Sequence, residues 1–148
     1  MSQTIVGEHM VKFPYTVEPK MTVREAFYLM GEWRIRHLPI TENGSLVGIV
    51  SERDLRQYFN TAGDMKLSEI MTATPYCVRL GTKLEEVLEA MERKRIGSAL
   101  VVSRNNEVLG IFTTIDAIKL LRRMLREDPI GPYAKWDVDD VFERWDVQ

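Results

Sequence analysis

Apolar residues recur in two segments of the chain at the three- and four-residue spacing of a helix that buries one face. In the first segment these residues are Val23, Ala26, Phe27, Met30 and Trp33. In the second segment they are Leu84, Val87, Leu88 and Met91. Both patterns predict a helix. Thr22 and Glu25 have the spacing of a capping box at the start of the first helix, and Thr82 is expected to cap the second.

Each predicted helix follows a short extended segment and precedes two short apolar runs. The extended segments are Tyr15–Val17 and Tyr76–Val78, and the apolar runs are His37–Thr41, Leu46–Val50, Ser98–Val102 and Val108–Phe112. Asn43 and Gly44 divide the first pair of runs, and Asn-Gly at such a place is a strong hairpin signal. Closing helices are expected over Glu52–Asn60 and Thr114–Arg126, with a linker at Thr61–Lys66 and a helical turn at Leu67–Met71.

The elements repeat because the first half of the chain recurs in the second. The offset is 61 residues up to Ile35 and 62 residues from Asn43 onward. The matched pairs include Met10 with Met71, Tyr15 with Tyr76, Met30 with Met91, Arg34 with Arg95, Gly48 with Gly110 and Asp54 with Asp116. A unit of about 60 residues buries too little surface to be robust alone. We therefore expect two strand-helix-strand-strand-helix units that pack through their sheets, with pseudo-twofold symmetry and two clefts between them.

Composition and charge narrow the class of protein. The chain has 148 residues, of which 45% are hydrophobic and 28% charged, and this is typical of a packed soluble domain. The 20 basic and 22 acidic residues give a net charge of -2, which argues against a nucleic-acid partner. No apolar run approaches the roughly 20 residues that span a bilayer, and the pattern of residues 1–10 does not predict a secretion signal. A single cysteine, Cys77, excludes an internal disulfide, and the only histidines are His9 and His37, so we expect a cytoplasmic protein without a metal site.

The acidic residues are concentrated at the C-terminus. Residues 127–148 contain seven acids and two bases, a charge of −5, which leaves +3 for the preceding residues. Val138, Val141, Phe142 and Trp145 have helical spacing and predict a short amphipathic helix over Val138–Trp145. So short a helix is marginal alone, so it is expected to dock on the protein's own body, on a second subunit or on an external partner. A frayed terminus is the alternative.

Two short motifs suggest binding chemistry at the ends of strands. Ser51 and Thr113 lie where a strand gives way to a helix, and the free N–H groups of a helix start favour an anion such as phosphate. Asp54 and Asp116 follow three residues later. A plain capping arrangement is the alternative reading of this spacing. Cys77, a lone thiol among apolar neighbours, is expected to belong to the core.

The segments that end in these motifs resemble a known family. RHLPITENGSLVGIVSERDL (36–55) and GSALVVSRNNEVLGIFTTIDA (97–117) each contain Gly, two apolar residues, Ser or Thr, two variable residues and Asp. This pattern resembles the CBS domain, whose tandem pair is called a Bateman module, and the resemblance covers about residues 10–122. It implies an α/β (α+β) fold of two β-α-β-β-α repeats at 1–66 and 67–126, followed by the acidic tail helix at 127–148. It also implies a homodimer that senses AMP, ADP or ATP and regulates an unidentified protein. The resemblance implies no catalytic activity and no covalent cofactor.

The resemblance also implies roles for individual residues. The carboxylates of Asp54 and Asp116 would accept hydrogen bonds from the ribose hydroxyls. The residues implied at the ligand phosphates are Ser51, Thr113, Arg36, His37 and Arg53. The residues implied around the base are Tyr15, Thr16, Val17, Tyr76, Cys77, Val78, Gly97, Ser98 and Ala99. There are alternative readings for three of these residues. Arg36 and Arg53 would then be solvated surface cations, and His37 would be a neutral, hydrogen-bonded histidine.

The second repeat departs from the first at the implied phosphate positions. Gly97 and Ser98 stand where the first repeat has Arg36 and His37, and Thr114 and Ile115 replace Glu52 and Arg53. Either the second cleft binds a less anionic ligand, or the first repeat supplies the phosphate contacts across the cleft. The small residues at 97–99 leave room for a flat base, or they mark close strand packing. The rival hypothesis is a structural dimerisation module that has lost its ligand.

Overall fold

Helices and strands follow one another in the order that the repeat predicts. The computed structural model describes residues 3–127. A 3-10 helix (Val6–Glu8) and β1 (Val11–Lys12) precede the first repeat, which contains α1 (Val23–Trp33), β2 (His37–Glu42), β3 (Ser45–Ser51) and α2 (Glu52–Ala62). After α3 (Leu67–Ile70), the second repeat contains β4 (Cys77–Val78), α4 (Leu84–Lys94), β5 (Ser98–Val102), β6 (Val108–Thr113) and α5 (Thr114–Glu127). The predicted α/β fold of two β-α-β-β-α repeats is confirmed, whereas the helix predicted at Val138–Trp145 lies outside the described residues.

The N-termini of α1 and α4 differ because the threonine of the second repeat, Thr82, lies one residue before the position equivalent to Thr22. The Thr22 side chain accepts a hydrogen bond from the Glu25 N–H at 3.2 Å, which is one of the two hydrogen bonds of the predicted capping box. The prediction for Thr82 is wrong. Helix α4 begins at Leu84 after Lys83, and the Thr82 hydroxyl instead accepts a hydrogen bond from the Arg79 N–H at 3.2 Å.

The predicted hairpin between β2 and β3 has a two-residue turn. Asn43 and Gly44 both have positive φ, at 52° and 80°. This left-handed conformation favours asparagine and glycine, and its twist matches that of the flanking antiparallel strands. The hairpin leaves the start of β2 and the end of β3 side by side, because His37 pairs with Ser51.

The lead-in segment of each repeat pairs with the sheet of the other repeat. Strand β1 precedes the first repeat but pairs antiparallel with β6, in a sheet of strand order β1-β6-β5-β4. Thr72 precedes the second repeat and pairs with Ile49 in β3. The sulfur-bearing side chain of Met71 lies so close to Gly48 that a Cβ there would come within 2.5 Å of its Sδ. The residues that precede each repeat in the sequence therefore pair with a strand of the other repeat.

Each repeat has its own hydrophobic core, and a third cluster joins them. Leu38, Ile40 and Val50 are fully buried in the first core, and Ala99, Val101 and Phe112 in the second. The third cluster joins the two sheets and consists of Leu46, Leu100, Val102 and Ile111. The Asn106 side chain adds a polar link, donating hydrogen bonds to Ser45 Oγ at 2.9 Å and to the Leu46 carbonyl at 2.8 Å.

Candidate functional site

A cleft of about 1080 Å³ lies between the two repeats. One wall is built by the start of β2, the end of β3 and the first turn of α2, and the other by the segments that precede β4 and β5. The lining residues are Arg36, His37, Ile49, Ser51, Glu52, Arg53, Asp54, Arg56, Thr72, Thr74, Pro75, Tyr76, Cys77, Lys94, Arg95, Ile96, Gly97 and Ser98. Ligand sites favour such interfaces between packed units.

Ser51 and Asp54 form a reciprocal capping box on the cleft wall. The Ser51 N–H donates to Asp54 Oδ2 at 2.9 Å, and the Asp54 N–H donates to Ser51 Oγ at 3.1 Å. The box fixes the direction of the Asp54 carboxylate through one of its two oxygens. Within residues 3–127 no hydrogen bond uses Asp54 Oδ1, so this oxygen remains able to accept from a ligand hydroxyl.

The cleft combines positive charge from both repeats. Arg36 and Arg53 lie on the first-repeat wall, where the sequence placed candidate phosphate contacts. Arg56, Lys94 and Arg95 line the same cleft and were missed by sequence reasoning. With the acids Glu52 and Asp54, the charged lining residues sum to +3.

The sequence contains signals for the three missed cations, but only the fold shows that these residues face the cleft. Arg56 stands one helical turn after Glu52, and the Arg56 guanidinium donates to the Glu52 carboxylate. Lys94 and Arg95 end the second-repeat helix just before Gly97. Lys94 Nζ lies 4.5 Å from the centroid of the Tyr76 ring, which places a cation beside an aromatic cleft residue.

His37 of the first repeat lines the cleft beside Gly97 of the second repeat. Its imidazole packs on Gly97, where an added Cβ would lie 3.3 Å from His37 Nε2. Burial lowers the pKa of His37 below 6.5, and Arg36 lowers it further, while Asp54 and Asp116 act in the opposite direction. At neutral pH the imidazole is therefore uncharged, and it offers a ligand a hydrogen bond without a full positive charge.

Some of the residues expected around the base line the cleft, and others lie in the hydrophobic cores. Tyr76, Cys77, Gly97 and Ser98 line the cleft. The expectation that Cys77 belongs to the core is wrong, because its side chain is exposed, with its thiol 3.4 Å from the Pro75 carbonyl. Burial against its neighbours nevertheless raises the pKa of the Cys77 thiol.

Ala99, Val78 and Val17 do not belong to the cleft wall. Ala99 is fully buried in the second core, and Val78 packs against that core. Val17 is buried in the first core, and its N–H and carbonyl are bonded to Pro39 and Thr41. Strand pairing turns these three side chains inward, and the implied contact of the base with backbone groups at Val17 and Val78 stays a prediction.

The second repeat carries an equivalent but different box. The Thr113 N–H and the Thr113 hydroxyl both donate to Asp116 Oδ2, at 2.8 Å and 2.9 Å. Neither residue lines the cleft described above. Tyr15, the counterpart of Tyr76, stacks on Trp33 with ring centroids 4.1 Å apart, and Thr16 follows it on the exposed surface. The two boxes therefore face different surroundings.

Among residues 3–127 there is no cluster of three His, Cys, Asp or Glu side chains able to hold a metal ion. The helices of this described region are also too short or too polar to cross a membrane.

Comparison with known proteins matches the family of the CBS domain twice, at residues 6–61 and 67–123. Among solved structures, the CBS domain pair of protein MJ0100, in complex with 5'-methylthioadenosine and S-adenosyl-L-methionine, is 27% identical with a TM-score of 0.75. That match covers 81% of this chain and 97% of the other. CBSX2 in complex with AMP shares the fold at 24% identity and a TM-score of 0.71, covering 81% and 97% of the two chains.

Curated relatives with enzyme names match over only a part of their length. An inosine-5'-monophosphate dehydrogenase of Korarchaeum cryptofilum is 38% identical over 101 residues, which cover 68% of this chain and 21% of the enzyme. The first curated relatives are matched over 21% to 39% of their own length.

Proposed function

This chain belongs to the CBS domain family, and on that premise we propose that it is a regulatory module whose inter-repeat cleft binds a phosphate-bearing adenosine ligand. The observation that carries the proposal is a cleft in which the Ser51–Asp54 box meets cations from both repeats. A carboxylate held by its own capping box suits a ribose diol, because its direction is fixed and its two oxygens keep enough lone pairs to accept from both hydroxyls. The start of α2 and the surrounding cations suit a phosphate.

The ligand is oriented by the order of groups along the cleft. We propose that the ribose binds Asp54 and that the phosphates lie toward Ser51, Arg36 and Arg53. The base lies toward Tyr76, Cys77, Gly97 and Ser98, where small residues leave space for a flat ring. Lys94 and Arg95 extend the phosphate region from the second repeat.

Asp116 and Thr113 form the second, weaker candidate site of the proposal. Both donors of Thr113 are directed to Asp116, and Thr114 and Ile115 replace the acid and the arginine of the first repeat. We propose that this side binds an adenosine ligand with less negative charge, of the kind represented by the sulfonium and thioether ligands of MJ0100.

Regulation follows if the ligand stabilises one arrangement of the two repeats. A ligand that contacts both walls favours the arrangement in which the walls are close, and only this difference in affinity can change the state of a partner. We propose a homodimer in the cytosol as the acting form, and we assign the module no catalytic step.

A panel of thermal shifts tests the proposal. The panel contains adenosine, AMP, ADP, ATP, NAD, 5'-methylthioadenosine and S-adenosyl-L-methionine, with GMP as the base control. We expect stabilisation by at least one adenine nucleotide and none by GMP. If none of the adenosine ligands stabilises the protein, the rival function stands, which is a dimerisation module without a ligand.

A further inference from the structure

The inter-repeat cleft carries more positive charge than its own acids balance. Five of its lining residues are basic and two are acidic, which gives a charge of +3. Both repeats supply the exposed bases, which are Arg36, Arg53, Arg56, Lys94 and Arg95. Within residues 3–127, Arg36 and Arg56 share the single acid Glu52, and the other three bases form no ion pair. The cleft therefore suits an anionic occupant that contacts both walls.

The same cleft has space for a planar ring. Gly97 and Ser98 have small side chains, and Tyr76 lines the cleft with Lys94 Nζ 4.5 Å from the centroid of its ring. An occupant that fits the whole cleft therefore combines a ring with negative charge. A nucleotide has this combination, and so has a peptide in which aromatic and acidic residues are neighbours.

The C-terminal residues of the chain have this composition. Residues 128–148 contain six acids and two bases, a net charge of −4. Trp136 directly precedes Asp137, and the adjacent acids Asp139 and Asp140 follow within four residues. The segment therefore offers carboxylates where a nucleotide has phosphates, and an indole ring where a nucleotide has its base.

We propose that the acidic segment 128–148 occupies the inter-repeat cleft of its own chain when no nucleotide is bound there. The carboxylates of Asp139 and Asp140 pair with the cations of the cleft, and the Trp136 ring lies in the space beside Gly97 and Ser98. A nucleotide displaces the segment, so that release of the segment signals occupancy of the cleft. The docking depends on the cleft alone, whereas its use as a switch rests on the proposed function.

The segment is long enough to return to the cleft. Helix α5 begins beside it, because the Thr114 N–H donates to the carbonyl of the cleft residue Gly97 at 3.1 Å. The 14 residues of α5 then extend about 21 Å to Glu127. The ten residues 128–137 can span up to about 33 Å, which exceeds the length of the helix.

Attachment to the body makes even a weak contact effective. Two groups joined by a short tether meet at an effective concentration on the order of millimolar. A separate acidic protein must reach a similar concentration to compete, which favours the chain's own segment as the occupant. The apparent affinity for a nucleotide falls in proportion to the fraction of clefts that the segment leaves free. The segment therefore sets the nucleotide concentration at which the module responds.

Carbodiimide cross-linking of the full-length protein without nucleotide tests the docking. The reagent joins a carboxylate to a lysine amine in contact with it, and Lys94 is the one lysine among the lining residues that the structure describes. We expect a cross-link between Lys94 and an acid of residues 137–140, in protein with the mass of one chain. Peptide mass spectrometry locates it. Lys94→Arg keeps the charge of the cleft and should remove this cross-link, and saturating AMP should reduce it by roughly tenfold or more.

Calorimetry of AMP binding measures the competition between segment and nucleotide. The double variant Asp139→Asn with Asp140→Asn removes two charges from the segment at nearly constant shape. We expect it to bind AMP about threefold or more tightly than the unmodified protein, because the cleft is free more often. Glu8→Gln with Glu18→Gln is the matched control, since it removes the same charge from exposed residues outside the cleft and should leave the affinity unchanged.

The outcomes separate the docking from the proposed function. A Lys94 cross-link that no adenine nucleotide reduces would support the docking and contradict the nucleotide function. Nucleotide binding without a cross-link at Lys94, or an equal gain of affinity in both double variants, would contradict the docking alone. A cross-link to Lys119 instead would place the segment along α5, and one found only at the mass of two chains would assign the cleft to the segment of a second copy. Either result overturns the proposal.

Discussion

Arg36 and Glu52 form an ion pair on the cleft wall, with the guanidinium Nε 3.6 Å from the carboxylate Oε2. The Glu52 carboxylate also accepts a hydrogen bond from Arg56, one turn along α2. A ligand phosphate that reaches either arginine must compete with Glu52. In the second repeat Thr114 stands at this position, so the competition is a property of this cleft alone.

Glu52→Gln should therefore increase nucleotide affinity in proportion to ligand charge. The change removes a repelling carboxylate and releases Arg36 and Arg56 for the phosphates. Because the groups are near the surface and screened by salt, we expect a gain of about three- to tenfold for ATP, less for ADP and AMP, and none for adenosine. Calorimetry measures the series. Glu85→Gln, which removes an acid from the exposed side of α4, is the charge-matched control, and an equal gain in both variants would contradict the local effect.

The half-buried His37 predicts a loss of stability at acidic pH. An unfolded histidine takes up a proton near pH 6.5, but burial lowers the pKa of His37 in the folded protein. As the pH falls below 6.5, the unfolded state therefore binds more protons and the free energy of unfolding decreases. Urea unfolding at a series of pH values should show this decrease in the unmodified protein and a flatter profile in His37→Gln. The variant His9→Gln serves as control and should keep the original profile; a profile unchanged by His37→Gln would contradict the prediction.

Asn106 is predicted to hold the two repeats together at the hairpin side. Its side chain makes two hydrogen bonds to the first repeat, and its φ of 61° is a conformation that asparagine tolerates. Asn106→Ala should lower the free energy of unfolding by about 1–2 kcal/mol. Asn106→Gly also removes the side-chain hydrogen bonds but tolerates the positive φ. Comparing the two variants therefore separates the loss of the hydrogen bonds from backbone strain. The neighbouring variant Asn105→Ala should change stability little, and a similar loss there would argue against a specific link.

Cys77 offers a reporter of cleft occupancy because it is the only cysteine of the chain. Its thiol lines the cleft, and its pKa is raised above 9.0 by burial, so alkylation by iodoacetamide should be slow at neutral pH. We expect a saturating adenine nucleotide to slow alkylation further by roughly tenfold or more, and GMP to have no effect. Alkylation rates that are the same with and without a bound nucleotide would place the ligand elsewhere.

Local motifs were predictable from the sequence, whereas contacts between the repeats were not. Ser51 and Asp54 are three residues apart, so their box depends only on one strand-to-helix junction. Lys94 and Arg95 are remote from that junction and enter the same cleft only through the packing of the repeats. Cys77 has apolar neighbours in sequence, yet its strand lies at the edge of a sheet and faces the cleft. Thr82 fails as a cap because it lies one residue before the position equivalent to Thr22, which Lys83 occupies.

The ribose role of Asp54 is the central claim, and calorimetric titration of AMP, ADP and ATP into the protein and its Asp54→Ala variant tests it most directly. The substitution removes charge-assisted hydrogen bonds worth roughly 1.5–3 kcal/mol each, so we predict an affinity at least about tenfold weaker. Asp64→Ala, which removes an exposed carboxylate paired with Arg24 outside the cleft, should bind as the unmodified protein does. A thermal melt of each variant shows that it is folded. Nucleotide affinity that is unchanged in a folded Asp54→Ala protein would contradict the account.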